Sequence, residues 1–71
     1  MRIYYHLKDS HESILDEKGV EVSDREEARA QASRVIEELR QADSRYWSGW
    51  VLIAADEAGN RLFSIDLDRT S

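Results

Sequence analysis

Seventy-one residues with a formal net charge of -5, no cysteine and no proline make a single small domain at most, one that no disulfide or cysteine-ligated metal can staple. A chain near this size hides only about 60 to 65% of the surface its unfolded form exposes, so a large buried active site is not expected. The acidic excess opposes attraction to phosphate backbones and anionic lipid, and no apolar run near the roughly 18 residues of a membrane span occurs; together with the absence of a signal-peptide pattern after Met1, this predicts a cytoplasmic protein that binds neither nucleic acid nor membrane.

In chain order, Arg2 to Lys8 alternates Ile3, Tyr5 and Leu7 against Arg2, Tyr4, His6 and Lys8, the period-two pattern of a strand with one buried face. Asp9-Ser10 is placed for a tight turn, and His11 to Leu15 for a shorter returning strand. Asp16-Glu17-Lys18-Gly19 puts Asp first and Gly fourth, the choices that favour a type I turn closed by a glycine at positive φ. Val20-Glu21-Val22 reads as a brief extended lead into a helix.

That helix is the strongest signal in the chain. Between Ser23 and Arg45, the residues Ala28, Ala32, Val35, Ile36, Leu39 and Ala42 recur at the spacing that gathers side chains into one stripe. The other face is charged, with Arg34 and Glu38, and Glu37 and Arg40, one turn apart. Ser23 with Glu26 forms a capping-box signature, and Asp24 with Glu27 the same box shifted by one. Beyond Tyr46-Trp47-Ser48-Gly49, Trp50 to Ala55 is the most apolar run, expected as a central strand covered on both faces. Asp56-Glu57-Ala58-Gly59 repeats the acidic turn signature, and Arg61 to Asp68 alternates with Phe63, Ile65 and Leu67 inward, completing a β-hairpin.

The order β-β-α-β-β predicts an α+β domain over residues 1–71, with one helix laid on one face of an antiparallel sheet of about four strands. A single helix covers one face only. Tyr4, His6, Lys8, Leu62, Ser64 and Asp66, with part of the Trp50 to Ala55 run, are expected on the other face, where a hydrophobic strip would recruit a second molecule.

His6 and His11, with Asp9 and Glu12 near them, are the one cluster with a metal-like inventory, and a hairpin would bring the imidazoles toward each other. Their spacing matches no metal motif, and no Ser, Cys or Asp stands in a triad context beside them. An enzymatic reading is therefore the weaker one, and no cofactor is expected. Tyr46, Trp47 and Trp50 lack the basic groove that single-stranded nucleic acid needs, so their expected role is to close the end of a small core, any exposed Trp marking a contact surface. Residues 24 to 45 hold six acids and five bases, which leaves nine acids and five bases on the strands and turns. A charged partner, if there is one, would be basic.

At Tyr4-Tyr5-His6-Leu7-Lys8-Asp9, Asp16-x-x-Gly19-x-Glu21, Asp24 with the alanine rhythm of Ala28, Ala30 and Ala32, and Trp50 with Asp56-x-x-Gly59, the chain resembles a family of small bacterial domains of unknown function. Those sequences open with a Tyr-x-Phe-His-Leu-x-Asp-Gly stretch and carry Asp-x-x-Gly before an alanine-rich helix. The likeness spans nearly the whole length. Ser10 stands where such proteins favour Gly, and Ser23 where a Pro is common. The resemblance implies a free-standing cytoplasmic domain and supplies no activity, ligand or catalytic residue.

The residues thus favour a non-enzymatic interaction or regulatory module that pairs with itself or docks on a protein partner, using Tyr4, His6, Trp47, Trp50, Leu62 and Ser64. A metal-binding or histidine-based enzyme centred on His6 and His11 is the alternative.

Overall fold

The computed structural model describes residues 1–43 and 45–69. Ser44, inside the stretch read as helix, and Thr70 and Ser71 lie outside the described residues. Five strands and one long helix run in the order β1 (Arg2–Lys8), β2 (Ser13–Ile14), β3 (Val20–Glu21), α1 (Arg25–Asp43), β4 (Val51–Ala55) and β5 (Arg61–Asp66), followed by a single 3-10 turn, Leu67–Arg69. The α+β class and the β-β-α-β-β frame are as expected. The one addition is β3: the lead into the helix pairs with β1, Arg2 opposite Glu21 and Ile3 opposite Val20.

The sheet is antiparallel with path β2-β1-β4-β5 and β3 also on β1. Since β2 pairs with Leu7 and Lys8 and β3 with Arg2 and Ile3, two short strands share one edge of β1, and residues 15–19 bow outward between them. Four strand positions result, the number the sequence implies.

Of the two possible caps at the helix start, the structure uses Asp24. Asp24 Oδ1 accepts the Glu27 amide at 2.9 Å, while the Glu27 carboxylate reaches back to the Ser23 amide and hydroxyl. An orphan donor of the first turn and the amide of the residue before the cap are thereby satisfied. At the far end Asp43 accepts the amides of Arg45 and Tyr46, which turns the chain out of the helix toward β4.

Ala28, Ala32 and Ile36 are fully buried on the helix side, and Val35 and Leu39 pack partly against them. Small alanines let the helix axis approach the sheet, and Ile36 fills the space between them. Ala42 is exposed, contrary to its place in the predicted stripe, because α1 ends one residue later, where the chain turns away. Opposite the helix lie Ile3, Leu52, Ala54, Phe63 and Leu67, each burying apolar surface at about 25 cal/mol per Å². The Tyr5 hydroxyl donates to the Ala28 carbonyl at 2.8 Å, tying β1 to α1. Burial and the nearby Glu27 carboxylate push the Tyr5 phenol above its ordinary value.

Candidate functional site

The register defines the face that the helix leaves bare. Tyr4, His6 and Lys8 of β1 stand opposite Ala55, Ile53 and Val51 of β4, and Ile53 and Val51 stand opposite Ser64 and Asp66 of β5. The register shifts at Ala55, so that Arg61 and Leu62 together face that one residue as a β-bulge. Beyond β1 the short β2 adds Ser13 opposite Lys8, with the exposed Leu15 next along. In the β4 column Val51 and Ile53 are half-buried and Ala55 is buried, and the columns of β1 and β5 end in Lys8 and Asp66 on either side of Val51.

The sequence predicts cover on both faces of the run from Trp50 to Ala55, and the structure corrects this. Its alternate residues Trp50, Leu52 and Ala54 are buried against the helix layer, whereas Val51 and Ile53 are only half-buried. Ala55 is buried as well, so the second face is open only at Val51 and Ile53. Val51 and Ile53 form its centre, although the run shows no alternation by which the sequence could assign them to a side.

On the β1 side the face is walled by a built structure. Between β2 and β3 the Tyr5 amide points into the gap in the ladder, and Asp16 Oδ2 accepts it at 3.2 Å. Asp16 Oδ1 takes the amides of Lys18 and Gly19 at 3.0 and 3.1 Å, and the Asp16 amide donates to His6 Nδ1 at 3.0 Å. One side chain thus closes a turn and replaces the missing strand partner of Tyr5. Burial opposes charge on Asp16, but the amides of Gly19, Tyr5 and Lys18, with His6 beside it, outweigh that and hold its carboxyl below the usual range.

The bond to Nδ1 makes that nitrogen an acceptor, so neutral His6 carries its ring proton on Nε2. Its ring lies parallel to that of Tyr4, with centroids 6.4 Å apart and planes 10° from each other. Gly19, at φ 70°, sits beneath Tyr4, where a Cβ would lie 2.9 Å from the Tyr4 ring and 3.0 Å from the Ile3 carbonyl. Tyr4 and His6 are held as a fixed rim.

His11 is elsewhere. Asp9 Oδ1 accepts the amides of His11 and Glu12 at the hairpin tip, and these bonds hold the Asp9 carboxyl below its usual range. With Leu7 opposite Ile14, His6 falls opposite the Leu15 side of the hairpin, so His11 at the tip is not its cross-strand neighbour. Among the described residues, no three His, Cys, Asp or Glu side chains come together in a group able to hold a metal ion.

The tryptophans also lie apart from the bare face. Trp50 is 3% exposed, and its ring meets Trp47 edge to face at 5.1 Å, with Tyr46 against both. This cluster closes the core at the junction of α1 and β4, the role their position suggests. Trp50 has almost no surface to offer a partner. Of the residues expected at a contact surface, Tyr4, His6 and Ser64 share the bare face by register, Leu62, in the bulge, packs against the core, and Trp47 is half-buried at the core's end.

On the opposite side a shallow open groove runs between α1 and the β1–β3 edge, lined by Tyr5, Val20 and Val35 with Gln31, Arg34 and Glu38. Among the described residues, no helix is long and apolar enough to cross a membrane. No curated protein and no solved structure matches the chain. A family match covers residues 2–68, nearly the whole length, and the chain belongs to that family, described as Domain of unknown function (DUF6894).

Proposed function

We propose that the domain works by docking and not by chemistry: it is a non-enzymatic interaction or regulatory module of a reducing compartment such as the cytoplasm, and its contact surface is the bare sheet face. The observation that carries this reading is the half-buried apolar pair Val51 and Ile53 on the side of the sheet opposite the helix. An apolar strip framed by polar residues is the usual surface pattern of a protein contact site. The rim is preorganised, since Tyr4 and His6 are locked by Gly19 and Asp16, and a rigid rim loses little side-chain freedom on binding.

A histidine-centred site needs His6 and His11 to converge, and the hairpin register favours docking over it. The test is affinity capture from the soluble extract of the producing cells, on immobilised wild type and on Ile53→Asp, with circular dichroism confirming that the variant folds. Wild type is expected to retain a protein, whether another copy or a different chain, that Ile53→Asp releases. Equal retention by both, or none by either, would overturn the reading.

A further inference from the structure

The last strand of the sheet path, β5, has no strand beyond it among the described residues. The Leu67 amide donates inward to the Trp50 carbonyl at 3.0 Å, and along an antiparallel pair the residues bonded to the neighbouring strand alternate with residues whose N–H and C=O point the other way. Phe63 and Ile65 therefore bond to β4, while Leu62 and Ser64 turn their backbone groups outward. The Arg25 guanidinium, from the first turn of α1, donates to the Leu62 carbonyl, which only an outward carbonyl permits.

This edge is also the cationic part of an acidic chain. Arg29, one helical turn beyond Arg25, holds its guanidinium 5.5 Å from the centre of the Phe63 ring, and Arg61 is exposed at the start of β5. Among the described residues, none of these three arginines is paired with a carboxylate, the ion pairs being those of Met1 and Arg2 with Glu21.

We propose that the β5 edge is a second docking site, separate from the bare face, and that it takes an extended acidic segment of another protein as an added antiparallel strand. Strand addition uses the outward N–H and C=O of Ser64 and the N–H of Leu62. Arg25 occupies the Leu62 carbonyl in the free chain and, with five N–H donors in its guanidinium, keeps others for an incoming carboxylate. An antiparallel segment lays its C-terminal end beside Arg61, so its acids stand at that end, within reach of the three arginines, and uncharged β-forming residues precede them. The net charge of -5 opposes a long polyanion such as nucleic acid, whereas a short acidic end meets only the local arginines, since charges beyond about 8 Å are screened at physiological salt. A few edge hydrogen bonds and exposed ion pairs give a Kd on the order of 100 μM.

The test is fluorescence anisotropy with a labelled peptide, acetyl-Thr-Val-Thr-Val-Asp-Glu-Glu-amide, and with its counterpart ending in three lysines. The acidic peptide is expected to bind, and the lysine peptide to bind roughly tenfold or more weakly. A variant carrying Arg25→Gln and Arg29→Gln should lose roughly tenfold in affinity for the acidic peptide. Ser64→Pro removes one outward N–H, at an edge position where proline is tolerated, and should abolish binding, while Ser64→Ala and Ile53→Asp should bind as wild type does. Circular dichroism confirms that each variant folds.

No binding at about 1 mM protein, equal binding of the two peptides, or binding indifferent to the arginine changes or to Ser64→Pro would overturn the proposal. So would loss of binding in Ile53→Asp, which would move the peptide to the bare face, or tighter binding of an oligothymidylate of equal charge. A wild-type dimer that Ser64→Pro abolishes and Ser64→Ala keeps would give the edge to a second copy instead.

Discussion

The two faces of this sheet are built from alternate residues of the same three strands, yet one is finished within the chain and the other is not. On the helix side Ile3, Leu52, Ala54 and Phe63 are buried with Ala28, Ala32 and Ile36 in one core. On the bare side the apolar residues are concentrated in the middle column, while Lys8, Ser64 and Asp66 remain exposed. Covered surface contributes stability. Uncovered apolar surface contributes only when another molecule arrives, so the same alternation yields a folding face and, on the docking proposal, a binding face.

The largest expected effect separates them directly. Leu52→Ala on the covered face should cost about 2 to 5 kcal/mol, because a fully buried side chain leaves a cavity. Ile53→Ala, one residue along and half-buried, should cost less than half as much in the monomer. Urea denaturation of both at low concentration measures the difference, and equal losses would mean that the bare face carries the fold as well.

The rim comes next. A Cβ added at Gly59, where φ is 88°, would meet nothing within 4 Å, whereas Gly19, at φ 70°, is pressed against the Ile3 carbonyl and the Tyr4 ring. Gly59→Ala should cost about 1 kcal/mol for the left-handed backbone alone. Gly19→Ala should cost roughly 2 to 3 kcal/mol, since a backbone clash is added, and should loosen Tyr4. Thermal melts of the pair test whether the two similar turns differ by that much.

Asp16→Ala should cost about 1 to 2 kcal/mol, leaving the part-buried Tyr5 amide without its acceptor. Asp56→Ala should cost less, because Asp56 serves exposed amides within its own turn. The smallest effect is one of pH. Since the Asp16 carboxyl is held below its ordinary value of 3.8 in the folded chain, its charge stabilises the fold above that pH, and the contribution is lost as the pH falls further. The stability gap between wild type and Asp16→Asn should therefore be level near neutrality and narrow below about pH 3.8. A gap that widens in acid would reverse the assignment.

Local patterns made most of the fold legible. The helix stripe, its acidic start, the β4–β5 hairpin and the alternation of β1 all depend on neighbours within a few residues, and the structure follows them. What escaped depends on distant partners. Val20 and Glu21 are too short a strand to register by period, and they pair with residues near the start of β1. Asp16 looks like a turn residue, as it is, but its bond to Tyr5 spans eleven positions.

Within the candidate site, Tyr4, His6 and Ser64 were readable from strand parity, whereas Leu62 lies at the register shift, where parity fails. Val51 and Ile53 were not, because every residue of their run is apolar and only the register with β1 assigns a side. Trp50 suggested a contact residue by its type. Its parity with Leu52 and Ala54 puts it in the core instead.

The proposed role of the face away from the helix as a contact surface is tested most directly, for contact with a second copy, by an NMR dilution series. Amide shifts recorded from about ten micromolar to one millimolar, the range that brackets the affinity of a small interface, should move at His6, Val51, Ile53 and Ser64 and stay constant at Ala30, Arg34 and Glu37 on the exposed side of the helix. Shifts that do not change with concentration, or that change on the helix while those four stay still, would contradict it.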